Sequence, residues 1–332
     1  MEDYYSEYDG ETILVTGGAG AIGVNLCKKL SGLNAKKVII LDDLSSSYEW
    51  NIPKAKNIIF VKGSILDDEM LKRVFKERPE YVFHLAAHFA NQNSVDNPEI
   101  DLMVNGMGIL KVLEYAQLVD IKRFVYSSSG CGVYGLDSRM PFEEHDTSTS
   151  LHTPYQVTKL IGELYTNYFR NLYGLPTVNA RFFNVFGPGE VPGRYRNVIP
   201  NFFYWAMNGQ PLPITGDGTE TRDWTYVDDI ISGLLAMGIN EEAIGEAFNL
   251  GSAKEHRVID MANMVNSLTG NEKGILFTER RDWDVKCRLL SSVEKAGRIL
   301  GYRPKVAFEN GLKNVHQWFM DHWEYIRRTA EF

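Results

Sequence analysis

The sequence predicts an α/β fold: a doubly wound parallel sheet followed by a smaller C-terminal lobe. Three observations predict it. Short apolar runs alternate with amphipathic stretches over the first two-thirds of the chain, the pattern of βαβ units. A glycine-rich turn joins the first apolar run to the first amphipathic stretch. Past residue 183 the texture shifts to glycine, proline and arginine. At 332 residues the chain has room for one large domain or two ordinary ones.

Buried strands are expected at 12–16 (TILVT), 37–41 (KVIIL), 58–62 (IIFVK), 81–85 (YVFHL) and 123–127 (RFVYS). Each is a short run of mainly β-branched and aromatic residues. Amphipathic spacing predicts helices near 21–32, 67–76, 98–118 and 153–173 between them. A sixth strand, 177–183 (TVNARFF), follows Gly174-Leu175-Pro176. Residues 184–225, with Arg194, Arg196, Arg222 and Trp224 among their glycines and prolines, predict a loop-rich segment wrapping a ligand. Helical pattern returns near 227–240 and 257–269, and 310–328 is an amphipathic helix rich in Trp and His. The expected division is a nucleotide-binding domain over 1–183, to which 226–255 returns, and a mainly substrate-binding lobe over 184–332.

Composition removes several classes of function. With 44% hydrophobic and 23% charged residues, the chain is neither disordered nor a membrane protein. No apolar stretch reaches the roughly 18 residues of a membrane span. Residues 1–10 lack a basic start followed by an apolar run, so no signal peptide is expected. Three scattered cysteines, Cys27, Cys131 and Cys287, make no disulfide framework and point to a cytoplasmic protein. A net charge of −8 argues against nucleic acid as a partner, while a small anionic ligand can still bind locally. His84 and His88 are four apart but lack a third ligand, so no metal site is expected.

The strongest chemical signal is Thr16-Gly17-Gly18-Ala19-Gly20-Ala21-Ile22-Gly23, directly after the first strand and opening the first helix. Glycine permits positive φ and lets a pyrophosphate approach the backbone beside the partly positive helix N-terminus. Asp42 ends the second strand about 20 residues on, where a carboxylate bonds the adenosine ribose hydroxyls. The same charge repels a 2′-phosphate, so NAD is favoured over NADP, on a Rossmann-like sheet. The second signal is Tyr155 with Lys159, which share one face of a helix. A phenol of pKa near 10 is a poor base at neutral pH, and an adjacent ammonium favours its phenolate. The preceding strand ends in Ser127-Ser128-Ser129, so Ser128 or Ser129 is placed to orient the hydroxyl that Tyr155 deprotonates.

Together these features resemble the extended short-chain dehydrogenase/reductases, and within them the NAD-dependent nucleotide-sugar epimerases and dehydratases. The resemblance runs over roughly 11–320. It is carried by the glycine turn, Leu85-Ala86-Ala87, Asn105, the serine strand end, Tyr155 with Lys159, and Arg181-Phe182-Phe183-Asn184. Two further segments, Arg222 to Asp229 and Arg280 to Asp284, complete it. It is closest to epimerase/dehydratases of bacterial surface-polysaccharide clusters, which share the Gly-Cys after the serines. By this resemblance NAD is held by Gly17, Gly20, Ala21, Ile22, Gly23, Asp42, Ser64, Ile65, Leu85, Ala86, Ala87, Asn105, Ser127, Tyr155 and Lys159. Lys159 would bond the nicotinamide ribose. Asn184 and Asn197 would meet the diphosphate and sugar of a nucleotide-diphosphate sugar, Arg222 and Arg281 its phosphates, and Asp284 its ribose. His88 is expected to face the sugar. The resemblance also implies a homodimer through the helices near 98–118 and 153–173, the second carrying Leu160, Leu164, Tyr168 and Leu172.

Two departures bear on the reaction. Ser64 stands where relatives carry the adenine-binding Asp. Gly130-Cys131-Gly132 stands where 4,6-dehydratases and UDP-glucuronate decarboxylases carry a carboxylate. Enzymes resembling GDP-mannose 3,5-epimerase and GDP-fucose synthase use a cysteine two residues before the tyrosine of this segment, whereas Cys131 falls three before Tyr134. The expected activity is therefore a nucleotide-sugar 4-epimerase working through a 4-keto intermediate, in surface-polysaccharide sugar synthesis, with Cys131 as packing. The alternatives are a 4,6-dehydratase, a 3,5-epimerase-type enzyme using Cys131, and a non-catalytic NAD-binding protein.

Overall fold

The computed structural model describes residues 3–135 and 138–332, so Met1 and Glu2 of the N-terminal stretch lie outside the described residues. After a 3-10 turn at Asp3–Tyr8, the chain runs β1 (Thr12–Thr16), α1 (Ala21–Gly32), β2 (Lys37–Asp42), β3 (Ile58–Lys62), α2 (Asp68–Phe75) and β4 (Tyr81–His84). There follow α3 (Asn91–Asp96), α4 (Pro98–Asp101), α5 (Gly108–Ala116), β5 (Arg123–Ser129), α6 (Pro154–Tyr173), β6 (Thr177–Phe182), β7 (Val185–Phe186) and α7 (Val198–Met207). The remainder comprises β8 (Leu212–Thr215), β9 (Thr221–Arg222), β10 (Thr225–Tyr226), α8 (Val227–Ile239), β11 (Ala247–Leu250), β12 (His256–Arg257), α9 (Val258–Thr269), β13 (Ile275–Thr278), α10 (Glu294–Ile299) and α11 (Phe308–Thr329).

Seven strands form one parallel sheet in the order β3-β2-β1-β4-β5-β6-β11. The first six give the doubly wound order, whose direction reverses between β1 and β4. A crevice opens there beyond the carboxyl ends of the strands. The strands read as unbroken apolar runs because both faces are covered. Ile13, Val15, Val38 and Ile40 pack on one side, toward Leu26 and Leu30 of α1. Leu14, Ile39, Leu41 and Val82 pack on the other, toward α2 and α5. A slip of one residue in any strand would exchange these two sets, which fixes the register.

Two expectations are revised. The single helix near 98–118 is α4, a π-helical turn at Leu102–Met107, and α5. In the wider turn the Asn105 amide is bonded to Asp101 Oδ1 (2.9 Å), Thr158 Oγ1 (3.3 Å) and His88 O (3.1 Å). The 184–225 segment, loop-rich as expected, also contains the helix α7. Ile199, Phe202, Phe203 and Ala206 recur at helical spacing and bury one face of α7, and the glycines lie only on its flanks. Two four-residue strands, β8 and β13, pair in parallel beside it, outside the main sheet. Among the described residues no helix is long and apolar enough to cross a membrane.

Candidate active site

A cleft of about 780 Å³ lies at the carboxyl edge of the sheet. Gly17, Gly20, Ala21, Ile22, Gly23, Asp42, Ser64, Ile65, Leu85, Ala86 and Ala87 line it, as do Ser127, Ser128, Ser129, Tyr155 and Lys159. So do Asn184, Asn197, Arg222, Arg281 and Asp284 from beyond β6. Asn105 and His88 do not. Asn105 Oδ1 accepts from the His88 backbone N–H at 2.7 Å, and His88 Nδ1 lies 3.8 Å from Asp101 Oδ1. Both side chains are turned into the wall that holds the 85–90 segment.

The glycine turn is built for close approach. Gly17 has φ of +68°, and a Cβ there would lie 2.5 Å from Ala86 N. A Cβ on Gly23 would lie 2.4 Å from Gly17 O, so α1 seats against the turn only without a side chain. Asp42 clamps the same turn. Its Oδ2 accepts from Ala19 N at 3.0 Å, and its Oδ1 from Leu44 N at 2.9 Å and Ser47 Oγ at 2.8 Å. Three of its roughly four acceptor positions are thus filled, leaving capacity for a ribose hydroxyl. The glycine cradle and the carboxylate at the end of β2 together fit a dinucleotide.

Helix α6 carries the expected pair, Tyr155 and Lys159. Thr153 caps it, Pro154 occupies its first turn, and Gly174 ends it in a left-handed conformation. Tyr155 and Lys159 are both buried. Lys159 Nζ donates to Ser127 O at 2.8 Å and stands 5.5 Å from the Tyr155 ring. Burial lowers the Lys159 pKa to about 8, with Asp101 opposing. The Tyr155 phenol is not lowered as its spacing from Lys159 predicts. Burial pushes it up, and Asp101 and Cys131 add to the rise. The ammonium faces a carbonyl, and desolvation of the phenolate outweighs any help it gives.

The serines divide. Ser128 Oγ donates to Glu163 Oε1 at 2.5 Å, whereas the Ser129 hydroxyl has no protein partner among the described residues. Glu163 in turn holds Arg181 at two points, Nε to Oε1 at 2.8 Å and Nη2 to Oε2 at 2.7 Å. The sequence reading missed Glu163, although its place four residues after Lys159 puts it on the same helical face. Cys131 Sγ donates to Asn184 Oδ1 at 3.3 Å, and burial pushes its thiol pKa up. Lys286, also missed, donates from the 279–288 loop to the carbonyls of Cys131 and Tyr134. Nothing in its local sequence signalled that reach. Arg222 and Asp284 face each other at 3.3 Å, and Asn197 Nδ2 donates to Glu190 Oε1 at 2.9 Å. His84 is buried against Thr16 Oγ1 (2.8 Å), and burial lowers its pKa to about 3, with Lys159 adding to the fall. Among the described residues no three His, Cys, Asp or Glu side chains gather to hold a metal ion.

Comparison with known proteins agrees with this geometry. A family model, the NAD dependent epimerase/dehydratase family, matches residues 13–251. A UDP-glucose 4-epimerase of Mycolicibacterium smegmatis is 33% identical over 309 residues, which are 92% of this chain and 97% of that one. The structure of an epimerase from the methanogen Methanothermobacter thermautotrophicus superposes with a TM-score of 0.99 at 72% identity, covering 100% of this chain and 98% of that one. The UDP-glucose 4-epimerase of Thermotoga maritima, solved with UDP-glucose, superposes with a TM-score of 0.89 at 34% identity, over 94% and 99% of the two chains. With a glycine cradle, a carboxylate at the end of β2 and a Tyr-Lys helix in one cleft, the chain belongs to the NAD-dependent epimerase/dehydratase family of extended short-chain dehydrogenase/reductases, and its cofactor is NAD.

Proposed function

We propose that this enzyme is a nucleotide-sugar 4-epimerase acting on a UDP-sugar, and that its product feeds surface-polysaccharide synthesis. One observation carries the choice of reaction. The wall facing Tyr155 between the serines and Tyr134 presents Gly130, Cys131 and Gly132, with a thiol held by Asn184 and no carboxylate. Expelling water across C5 and C6 needs acid/base help at that wall; inverting C4 does not. The relatives named as UDP-glucose 4-epimerases support the same choice and the uridine nucleotide.

In this reading Ser129, whose hydroxyl is uncommitted, orients the C4 hydroxyl. As the phenolate, which the positive charges of Lys159 and of a bound nicotinamide would favour against the cost of burial, Tyr155 takes its proton as the C4 carbon becomes a ketone, and gives the proton back after the sugar has turned. NAD bound along the glycine turn supplies the hydride acceptor and donor, so no external reductant is consumed. Lys159 holds the Ser127 carbonyl and keeps a positive charge beside the reacting phenol. Ser128 serves the strand end through Glu163. Asn184, Asn197, Arg222, Arg281 and Asp284 hold the nucleotide diphosphate, Arg222 and Asp284 by exchanging their mutual contact for phosphate and ribose. Incubating the protein with UDP-, GDP-, CDP- and dTDP-sugars and reading products by NMR tests this. A C4-inverted sugar is expected, and a 4-keto-6-deoxy product carrying solvent hydrogen at C5 would establish a dehydratase instead.

Cys131→Ala is expected to leave turnover close to wild type and to cost about 1 kcal/mol of stability, because it removes one packed atom. Solvent-deuterium incorporation at C3 or C5 that the variant loses would instead make the thiol a proton carrier.

We further propose pairing with a second copy. On α6 Leu164 is 60% and Leu172 59% exposed, with Tyr168 half-exposed between them. Leu160 is corrected out of this stripe, since it packs inward against the Val133 and Tyr134 cluster. Ile100 of the neighbouring α4 and Met103 and Met107 of the π-helical turn are exposed as well. An apolar surface built from two adjacent helices suits a two-fold four-helix contact. Light scattering at micromolar concentration should give twice the chain mass, and a monomer would remove the proposal.

A further inference from the structure

The loop between β7 and α7 carries Asn197, which the family resemblance gives to the sugar nucleotide, yet it is fastened to the cofactor side. Asn25 Nδ2 of α1 donates to Pro188 O at 2.7 Å, and Asn51 Nδ2, from the segment after β2, donates to Gly189 O at 2.7 Å. These two bonds hold the loop against the dinucleotide turn. They bring Arg196 to a recess walled by Gly20 and Ala21 of the turn and by Ser46 and Ser47 after β2. Arg196 also lines the main cleft.

Arg196 makes no ion pair among the described residues. The carboxyl beside it is that of Glu190, which is 6% exposed and accepts from Asn197 Nδ2 at 2.9 Å. Burial raises the Glu190 pKa to about 7, with Arg196 and Asn197 opposing, so near neutrality its charge is only partly present. Glu331 and the Tyr48 hydroxyl are the other ionisable groups at this end of the recess, and neither pairs with the guanidinium. An arginine fork left uncommitted beside the N-terminus of α1 is placed to meet an anion from the opposite side to the turn's amides.

We propose that Arg196 is a ligand of the NAD diphosphate, supplied by the substrate-binding loop rather than by the dinucleotide turn. The assignment rests on the cofactor and not on which sugar reaction the enzyme performs. It has a linkage consequence. By the family resemblance Asn197, the next residue, meets the nucleotide sugar, so ordering the loop around one diphosphate would prepare it for the other. Each ligand then tightens the other by the same factor.

The test is calorimetric titration of cofactor-stripped protein with NAD and, separately, with UDP. Arg196→Gln should weaken NAD by about tenfold to a hundredfold, the worth of a hydrogen bond to a charged group. Arg196→Lys should fall between Gln and wild type, because it keeps the charge and loses the fork. UDP affinity measured without NAD should change by less than about threefold in either variant. NAD affinity unchanged in both variants would overturn the proposal. UDP affinity falling while that for NAD holds would assign Arg196 to the sugar nucleotide instead. A readout on the unaltered protein guards against a variant that fails to fold. Hydrogen exchange over 187–197 should slow when NAD alone is added, and exchange there that ignores NAD would equally overturn the assignment.

Discussion

Tyr155→Phe should lower turnover by about two to four orders of magnitude while leaving the fold and NAD binding in place. The substitution removes one hydroxyl and nothing else. That hydroxyl has no protein hydrogen-bond partner among the described residues, so no buried group is orphaned by its loss. The ring keeps its edge contact with Phe89 at 5.9 Å and its place in the capped first turn of α6. A thermal melt and an NAD titration that match wild type, with turnover nearly abolished, would place the proton transfer on this oxygen. A variant that epimerises at the normal rate would end the mechanism.

Glu163→Leu should cost about 3–5 kcal/mol of stability, the usual effect of leaving one member of a buried ion pair alone. Both side chains are almost fully buried, at 6% and 4% exposure for Glu163 and Arg181. Burial alone would lower the Arg181 pKa, and the contacts to Glu163 and Tyr134 reverse that and raise it. The pair is also a junction. Arg181 Nη1 donates to Glu144 O at 2.7 Å and Nη2 to Thr147 Oγ1 at 3.0 Å, while Glu163 accepts from Ser128. Losing the carboxylate therefore loosens both the strand end that presents Ser129 and the 144–147 segment, so turnover should fall with stability. The double replacement Glu163→Leu with Arg181→Met should recover part of the loss, because an apolar pair leaves no charge unpaired. Urea unfolding of the three proteins measures this, and a loss below about 1 kcal/mol for Glu163→Leu would show that the pair is solvated.

The sheet was legible because parallel strands buried on both faces leave a simple record. TILVT, KVIIL and RFVYS carry no polar interruption, and the glycine turn follows the first of them at once. Tyr155 and Lys159 were legible because helical spacing alone puts them on one face. The short strands were not. Ala247–Leu250 is four residues long and includes Asn249, whose amide is needed inside to bond Tyr134 and the carbonyls of Phe142 and Ser292. A polar residue in so short a run hides the strand. Helix α7 was masked by the glycines flanking it and by Pro200 in its first turn, although the 199, 202, 203 and 206 spacing was there to read. Asn105 lies in a motif segment, but motif membership does not say which way a side chain turns; the π-helical turn sends it to His88 and Asp101. The electrostatics of Tyr155 failed for another reason, since spacing reports neighbours and not the loss of water.

The place of β11 in the sheet also dictates an order of assembly during synthesis. It pairs with β6, register Leu250 against Phe182, so β6 remains an open edge until more than sixty further residues have been made. At about 5–20 residues per second, that edge waits several seconds on the ribosome. An unpaired parallel edge is a template for other chains. Until Asn249 arrives, the Tyr134 hydroxyl also lacks its buried acceptor, and the wall of the cleft that carries Cys131 is unfinished. A nascent chain halted near residue 183 would therefore hold the complete glycine turn and Tyr-Lys helix yet be a substrate for chaperones.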